Sequence, residues 1–239
     1  MTASVRSLDG DIPPMAVRLA GALYLIVILG GLFNEALVMG TIVGGGAAET
    51  AAAVAANESL WRWGMGVHLL YLPCAIVMNV LIYKLLRPVE PTLALLALAF
   101  ALVALAAEVS FILQLSVPLA LGGDGGPFAA LGEAERHALG YLAIRLYAVG
   151  FGFALFFFSG FCTLVGILIL RSRLMPRVVG GLMLAAGIGY AVGGLVGVVS
   201  PFLAGLIFPW ILIPCFLGEA SVALWLLLKG VNLEAYPAR

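Results

Sequence analysis

Six long apolar runs dominate this sequence and constrain its fold more than any other feature. A bilayer core about 30 Å thick requires about 20 apolar residues in one helix. The runs cover roughly residues 15–43, 61–86, 92–117, 138–170, 178–199 and 208–228. Each is apolar around its whole circumference, unlike a helix that lies on a soluble domain. We therefore predict an all-α fold, a polytopic transmembrane bundle of six spans.

Composition places the chain in lipid rather than in water. Of the 239 residues, 64% are hydrophobic and 10% are charged, whereas a soluble domain carries about 25% charged residues. The formal net charge is zero, so no overall field attracts nucleic acid, and we predict no nucleic-acid partner. The expected partners are membrane lipids and a small-molecule or cation ligand. The sequence predicts neither a cofactor nor an oligomeric state.

The basic residues predict the orientation. Six spans place both termini on one side, and nine of the twelve basic residues fall on that side. The nine are Arg6, Arg18, Lys84, Arg87, Arg171, Arg173, Arg177, Lys229 and Arg239, against Arg62, Arg136 and Arg145 on the other side. Since cytoplasmic loops carry the excess of Lys and Arg, we predict an N-in/C-in topology. The predicted domains are a cytoplasmic tail (1–14), a transmembrane domain (15–229) and a second cytoplasmic tail (230–239).

The loops leave little room for a separate catalytic domain. The turns on the predicted inner side, at residues 87–91 and 171–177, are short and contain prolines that end and restart helices. Two outer loops combine glycine-rich stretches, at residues 44–46 and 122–127, with alanine-rich sequence. This composition predicts short helices that cap the outer face.

Glycines in the fifth run predict close helix contact. Gly189, Gly193 and Gly197 recur at four-residue spacing, which is typical of small-residue seams between membrane helices. Tight contact within one bundle explains this seam better than a dimerisation face, because every polytopic protein needs such contacts.

Ionisable residues inside the spans indicate a functional site, since each costs about 2.5–3.5 kcal/mol at membrane depth. Counting about 1.5 Å per residue from the inner anchors, Glu219 lies roughly 15 Å up, near the midplane. Glu35, His68 and Glu108 lie roughly 24–26 Å up, in the outer half. Arg145 belongs at the outer rim.

These depths predict a water-accessible pocket that opens outward. Arg145 is expected at its mouth and Glu219 near its floor. Glu35, His68 and Glu108 are expected on its walls. Further polar side chains within reach are Asn34, Tyr71, Gln114, Tyr141, Cys215 and Ser221.

Structural explanations compete with this functional one. Arg145 can extend to the lipid headgroups, His68 can be a hydrogen-bonded packing residue, and Glu35 can be hydrated near the surface. Glu108 and Glu219 lie deeper and have no lysine or arginine nearby in the sequence. For these two carboxyls we favour a functional role.

A short internal match suggests an inverted repeat. Residues 107–110 (AEVS) and 218–221 (GEAS) share a small residue, a glutamate and a serine, each in the third span of a three-helix half. Inverted three-plus-three repeats are a known plan of transporters. The second and fifth spans show no supporting match, so chance explains these four residues better.

Five stretches resemble one known family. They are residues 18–25 (RLAGALYL), 31–35 (GLFNE), 86–89 (LRPV), 174–180 (LMPRVVG) and 218–232 (GEASVALWLLLKGVN). Together they resemble the bacterial membrane proteins known as domain of unknown function 4386, over roughly residues 16–232. The resemblance implies a six-helix, multi-pass protein of the bacterial cytoplasmic (inner) membrane, with glutamates at the positions of Glu35 and Glu219. It implies no particular reaction.

Three functions compete at this stage. The first is a small-molecule or ion-binding protein, such as a proton-coupled carrier, whose buried acids bind a cation or exchange protons. The second is an intramembrane metal-dependent hydrolase that acts on a lipid-like substrate. The chain has only two histidines and no His-Glu-x-x-His or Gly-x-Ser-x-Gly motif, so we assign no metal ligands. The third is a non-catalytic scaffold or accessory subunit, whose polar residues only bond helices together.

Overall fold

The computed structural model describes residues 12–122, 128, 130–208 and 210–232. Over these residues the chain is helical and contains no strand, as predicted for an all-α bundle. Eight helices lie in the described ranges. They are α1 (Pro14–Ile42), α2 (Ala47–Ala56), α3 (Glu58–Leu86), α4 (Pro91–Leu121), α5 (Glu133–Arg171), α6 (Arg177–Val199), α7 (Pro201–Ile207) and α8 (Leu212–Leu228).

Five of these helices are long and apolar enough to cross a membrane, namely α1, α3, α4, α5 and α6. The last apolar helix, α8, has only 17 residues, because the chain first forms the short α7. A helix of that length extends about 26 Å, slightly less than a bilayer core of about 30 Å. The sixth span therefore stays a prediction, and so does the orientation.

The long helices form a closed ring. Each of α1, α3, α4, α5 and α6 contacts the next in chain order, ending with α8, and α8 returns to contact α1. Helix α2 lies against α5 and the end of α4, so the capping helix predicted for the first outer loop is present. We call this end of the bundle the α2 end. The opposite end, with the turns at residues 87–90 and 172–176, is the turn end.

Helix boundaries at the turn end follow from local chemistry. The carboxylate of Glu90 accepts the backbone N–H groups of Leu93 and Thr92 at the start of α4. These bonds, above all the one from Leu93, hold the pKa of Glu90 below its ordinary value. Beyond α8, Gly230 has a φ of +74°, a left-handed conformation that glycine adopts without strain. The chain turns sharply there.

Close contact between α5 and α6 depends on three glycines spaced seven residues apart. A Cβ added at Gly187 would lie 2.3 Å from Oγ1 of Thr163 and 2.7 Å from the backbone nitrogen of that residue. Added Cβ atoms at Gly180 and Gly194 would also come within 3.0 Å of α5. Only residues without a Cβ allow α6 to approach α5 this closely.

The glycines that the sequence singled out behave differently. A Cβ at Gly189 would lie 2.8 Å from Sγ of Cys215 on α8, but a Cβ at Gly193 would make only an ordinary contact, and one at Gly197 would meet nothing within 4 Å. The predicted seam is therefore right at Gly189 and wrong at Gly197. A four-residue step rotates by about 40° around a helix, whereas a seven-residue step rotates by about 20°, so the longer spacing stays on one face.

Apolar side chains form two buried clusters inside the ring. The cluster at the α2 end contains Val38, Ile42, Val54, Trp61, Leu115, Ile144 and Tyr147. There the indole nitrogen of Trp61 donates a hydrogen bond to the carbonyl of Leu115 at 2.8 Å. The larger cluster extends toward the turn end and contains Tyr24, Phe161, Cys162 and Met183 among others. Each cluster surrounds one group of polar residues.

Candidate functional site

The first polar group lies at the α2 end and centres on Tyr147 of α5. Its hydroxyl donates to Oε1 of Glu35 at 2.8 Å and lies 3.5 Å from Nε2 of His68. The other ring nitrogen of His68, Nδ1, lies 3.0 Å from the carbonyl oxygen of Gly64. Since a carbonyl oxygen only accepts, this contact assigns the proton of neutral His68 to Nδ1 and leaves Nε2 as an acceptor.

A second tyrosine extends this group to α4. The hydroxyl of Tyr71 donates to Glu108, and the ring of Tyr71 lies 5.3 Å from the ring of His68, centroid to centroid. Side chains from four helices thus form one assembly, which we call the α2-end network. Its members are Glu35, His68, Tyr71, Glu108 and Tyr147. The histidine and both tyrosines are buried, and the two carboxyls are partly exposed.

Local backbone irregularity places Glu35 in the network. Residues Phe33–Met39 of α1 form a π-helical segment, a feature that appears mostly as single turns and often at functional sites. Asn34 on the same turn is buried and donates from Nδ2 to the carbonyl of Gly30 at 3.1 Å. Its Oδ1 accepts no hydrogen bond from the described residues and faces Gly64. The network thus has a free buried acceptor beside it.

Arg145 does not join the network. Arg145 precedes Tyr147 by two positions on α5, which places its side chain about 160° away around the helix. The side chain is exposed. Among the described residues, no arginine or lysine lies within ion-pair distance of Glu35 or Glu108. The two carboxyls therefore share a network that contains no fixed positive charge.

Two other predicted residues lie near the network but outside it. Tyr141 lines a cavity of about 690 Å³ at the α2 end, together with Ile144 and His137. It precedes Tyr147 by six residues, or about 9 Å along α5. Gln114 lies in a 3₁₀ segment of α4, and its side chain forms no hydrogen bond with the network.

The second polar group surrounds Glu219 of α8, which is buried at 7% exposure. Tyr190 of α6 donates its hydroxyl to this carboxyl. Tyr24 of α1 also faces it, although the Tyr24 hydroxyl forms no hydrogen bond of good geometry. Cys162 and Cys215 lie beside them. We call these five residues the core group.

The structure separates the predicted pocket into two parts. Within the described part of the chain, Glu219 forms no hydrogen bond with the α2-end network, and the side chains that face it are Tyr190 and Tyr24. Cys215 belongs with Glu219 and bonds to backbone carbonyls. Ser221 donates to the carbonyl of Gly218 in its own helix at 2.7 Å, so it serves the backbone of α8.

Sequence reasoning missed three tyrosines, Tyr24, Tyr147 and Tyr190. All three lie inside apolar runs rather than at the membrane–water boundary, where tyrosine is enriched. A hydroxyl in such a position needs a hydrogen-bond partner. Asking which carboxyl each tyrosine could reach would have pointed to Glu35 and Glu219.

Apolar helices of membrane length, closed into a ring around buried carboxyl–tyrosine pairs, define a polytopic helical membrane protein. A family model described as "Domain of unknown function (DUF4386)" matches residues 19–230. The chain therefore belongs to this family, as the resemblance indicated. No curated protein and no solved structure matches the chain.

Proposed function

We propose that this protein is an ion- or small-molecule-binding membrane protein, and that its α2-end network takes up a proton or another small cation. One observation carries the proposal. Glu35 lies in contact with Tyr147 and His68, and Glu108 accepts from Tyr71, whose ring lies against His68. Neither carboxyl has a basic side chain in ion-pair contact among the described residues. Two like charges at membrane depth are costly, and one bound positive charge relieves that cost.

The hydrogen bonds supply a route for a proton. When Glu35 is protonated it can donate to the oxygen of Tyr147, and the Tyr147 hydroxyl then turns from Glu35 toward Nε2 of His68, 3.5 Å away. The proton of Glu35 passes to the Tyr147 oxygen as the hydroxyl proton passes to Nε2. Glu35 then becomes a carboxylate and His68 an imidazolium, so the charges balance. From His68 to Tyr71 the rings are in contact, but no hydrogen bond joins them. Transfer toward Glu108 therefore needs a side-chain rearrangement.

The neighbouring cavity offers room for a small solute. Its volume is about 690 Å³, within the range of small-molecule sites. Ile144 lines the cavity and lies in the same buried cluster as Tyr147, one helical turn further along α5. A solute bound there is within one helical turn of the network along α5.

The experiment measures carboxyl protonation directly. Infrared difference spectra of the purified full chain in detergent are recorded while the pH is stepped between about 5 and 8, where histidine changes charge. The wild type should show a change in the carboxyl C=O band that is reduced in both Glu35→Gln and Glu108→Gln. Glu49→Gln, at an exposed position on α2, is the matched control. Identical spectra for the wild type and both network variants would remove the proposal.

The other two functions receive less support from these contacts. No three His, Cys, Asp or Glu side chains in the described residues gather at one point where they could hold a metal ion. A hydrolase that needs such a set therefore has no assigned centre. The scaffold hypothesis fits the core group, in which Glu219 is enclosed by apolar side chains. It does not explain two carboxyls that share one network without a basic partner.

We further propose the N-in/C-in topology in a bacterial cytoplasmic membrane, with the α2 end outside. Single cysteines are introduced at Asn57 or Arg173 after the three native cysteines are replaced. In intact cells an impermeant thiol reagent should label the variant at Asn57 and spare the variant at Arg173. The opposite pattern would reverse the orientation and place the network toward the cytoplasm.

A further inference from the structure

A basic cavity lies at the turn end, far from the α2-end network. Its volume is about 810 Å³, and it lies between the α5–α6 turn and the segment that follows α8. Four of its lining residues are cationic, namely Arg171, Arg173, Arg177 and Lys229. No acidic residue stands among the described residues that line it. The cavity is therefore suited to a negatively charged ligand.

The cavity is held by fixed backbone rather than by loose surface side chains. Leu174 and Met175 in the α5–α6 turn are buried in the larger apolar cluster. The backbone N–H of Asn232 donates to the carbonyl of Leu174 at 3.0 Å, which joins the segment after α8 to this turn. The left-handed conformation of Gly230 makes that contact possible. The basic residues therefore project from an anchored frame.

The positive charges of the cavity are not neutralised by the described part of the chain. No described carboxylate lies within ion-pair distance of the three arginines or of Lys229. The acid that acts on Arg171 from a distance is Glu90. Its carboxylate accepts the N–H groups of Leu93 and Thr92 and does not line the cavity, so the cationic side chains there remain able to contact an anionic ligand.

We propose that this cavity binds a phosphate group, as carried by the headgroup of an anionic phospholipid or by free phosphate. Arginine matches phosphate oxygens with two parallel N–H donors, and basic pockets between membrane helices bind phospholipid headgroups. The wall also contains Leu170, Trp225 and Val231. These apolar side chains offer contact for the glycerol and upper acyl chain, so the lipid form of phosphate fits the cavity better.

The test compares lipids by thermal unfolding of the purified full chain in neutral detergent micelles. Phosphatidylglycerol should raise Tm more than phosphatidylcholine does, because a ligand that binds the folded state stabilises it. The variant Arg173→Gln/Arg177→Gln should bind phosphatidylglycerol about thirtyfold more weakly, since each basic residue near a lipid surface contributes about fivefold. The matched control is Lys84→Gln/Arg87→Gln, which removes two charges at the same end but outside the cavity.

Two further ligands separate the sources of negative charge. Oleate carries a carboxylate instead of a phosphate and should stabilise the wild type less than phosphatidylglycerol does. Inorganic phosphate is compared with chloride at equal ionic strength, and a rise in Tm with phosphate identifies free phosphate as a ligand. No effect of phosphate, together with an effect of phosphatidylglycerol, identifies the lipid headgroup.

The outcomes that overturn the proposal are equally specific. Equal weakening in the cavity variant and in the control variant would show that only the general charge of this end matters. If the cavity variant does not fold, the wild type alone decides, because equal stabilisation by oleate and phosphatidylglycerol contradicts a phosphate site. None of these readouts depends on the α2-end network.

Discussion

Glu108 and Glu219 occupy corresponding places in the two halves of the ring and receive the same partner. Tyr71 on α3 donates to Glu108 on α4, and Tyr190 on α6 donates to Glu219 on α8. In each half the tyrosine comes from the second long helix and the glutamate from the third. The two halves therefore share one contact, from a tyrosine of the second long helix to a glutamate of the third.

The surroundings of the two carboxyls differ. Glu108 is partly exposed. Its contacts lead through Tyr71 to His68 and the rest of the α2-end network. Glu219 is enclosed by the larger apolar cluster, and the tyrosines that face it are Tyr190 and Tyr24. A proton or cation must reach a site in order to exchange, so one pair suits exchange and the other suits structure. Both halves contain the tyrosine–carboxyl pair, so under the proposed function the connection of Glu108 to further polar groups is what distinguishes the exchange site.

The largest expected effect concerns the helix packing of the half that contains Glu219. Gly187→Val would push α6 away from the backbone of α5 near Tyr190, and we expect a loss of about 3 kcal/mol in stability from overpacking. Gly181→Val on the same helix meets nothing within 4 Å and should change stability by less than about 0.5 kcal/mol. Reversible unfolding in mixed micelles measures both. Similar losses in the two variants would mean that the α5–α6 contact does not determine the core group.

The next effect compares the two hydroxyls. Tyr190→Phe removes the hydrogen-bond donor of the enclosed Glu219 and should cost about 2 kcal/mol. Tyr71→Phe removes the donor of the partly exposed Glu108 and should cost about 1 kcal/mol or less. The measurement is again unfolding in micelles, with Tyr83→Phe as the control. A larger loss in Tyr71→Phe than in Tyr190→Phe would reverse the structural assignment.

A smaller effect tests whether a change in the protonation of Glu219 is part of the proposed function. Glu219→Gln keeps the size and most hydrogen bonding of the side chain but removes its charge, so stability should hold or rise by about 1 kcal/mol. Proton uptake by the α2-end network should persist in this variant, as followed by its carboxyl C=O band. Loss of that band change in Glu219→Gln would show that the two groups act together and would return Glu219 to the site predicted from sequence.

The helices were predictable because the thickness of the bilayer core sets the length of an apolar segment that crosses it. The apolar runs locate α3 and α6 to within three residues at each end. The last run failed at its start, since α8 begins at Leu212 rather than at residue 208. Apolar residues such as Phe208 and Ile211 lie between α7 and α8, and hydrophobicity alone does not distinguish them from the first turn of a span.

The sequence predicted how deep the site residues lie along their helices, but not the direction in which each side chain points. Counting residues along helices brought Glu35, His68 and Glu108 to one level, and the structure joins them. Arg145 and Glu219 require knowing which way each helix faces, which depends on neighbours such as the Gly187 contact. The π-helical segment at Glu35 changes the direction in which the residues that follow it on α1 point. No local sequence signal predicts that shift.

Glu90 differs from the two tyrosine-bonded glutamates, Glu108 and Glu219. Its carboxyl lies at the turn end and accepts hydrogen bonds from backbone N–H groups instead of from a tyrosine. These bonds lower its pKa in the folded protein below the ordinary value of about 4.5. The stabilisation is therefore complete above the ordinary pKa and is lost as the pH falls through the folded-state pKa. Glu90→Ala should lower Tm slightly at pH 7, and the difference from wild type should close as the pH falls below about 4. Thermal unfolding of both proteins between about pH 7 and pH 3 measures this, and a difference that grows on acidification would contradict the capping role.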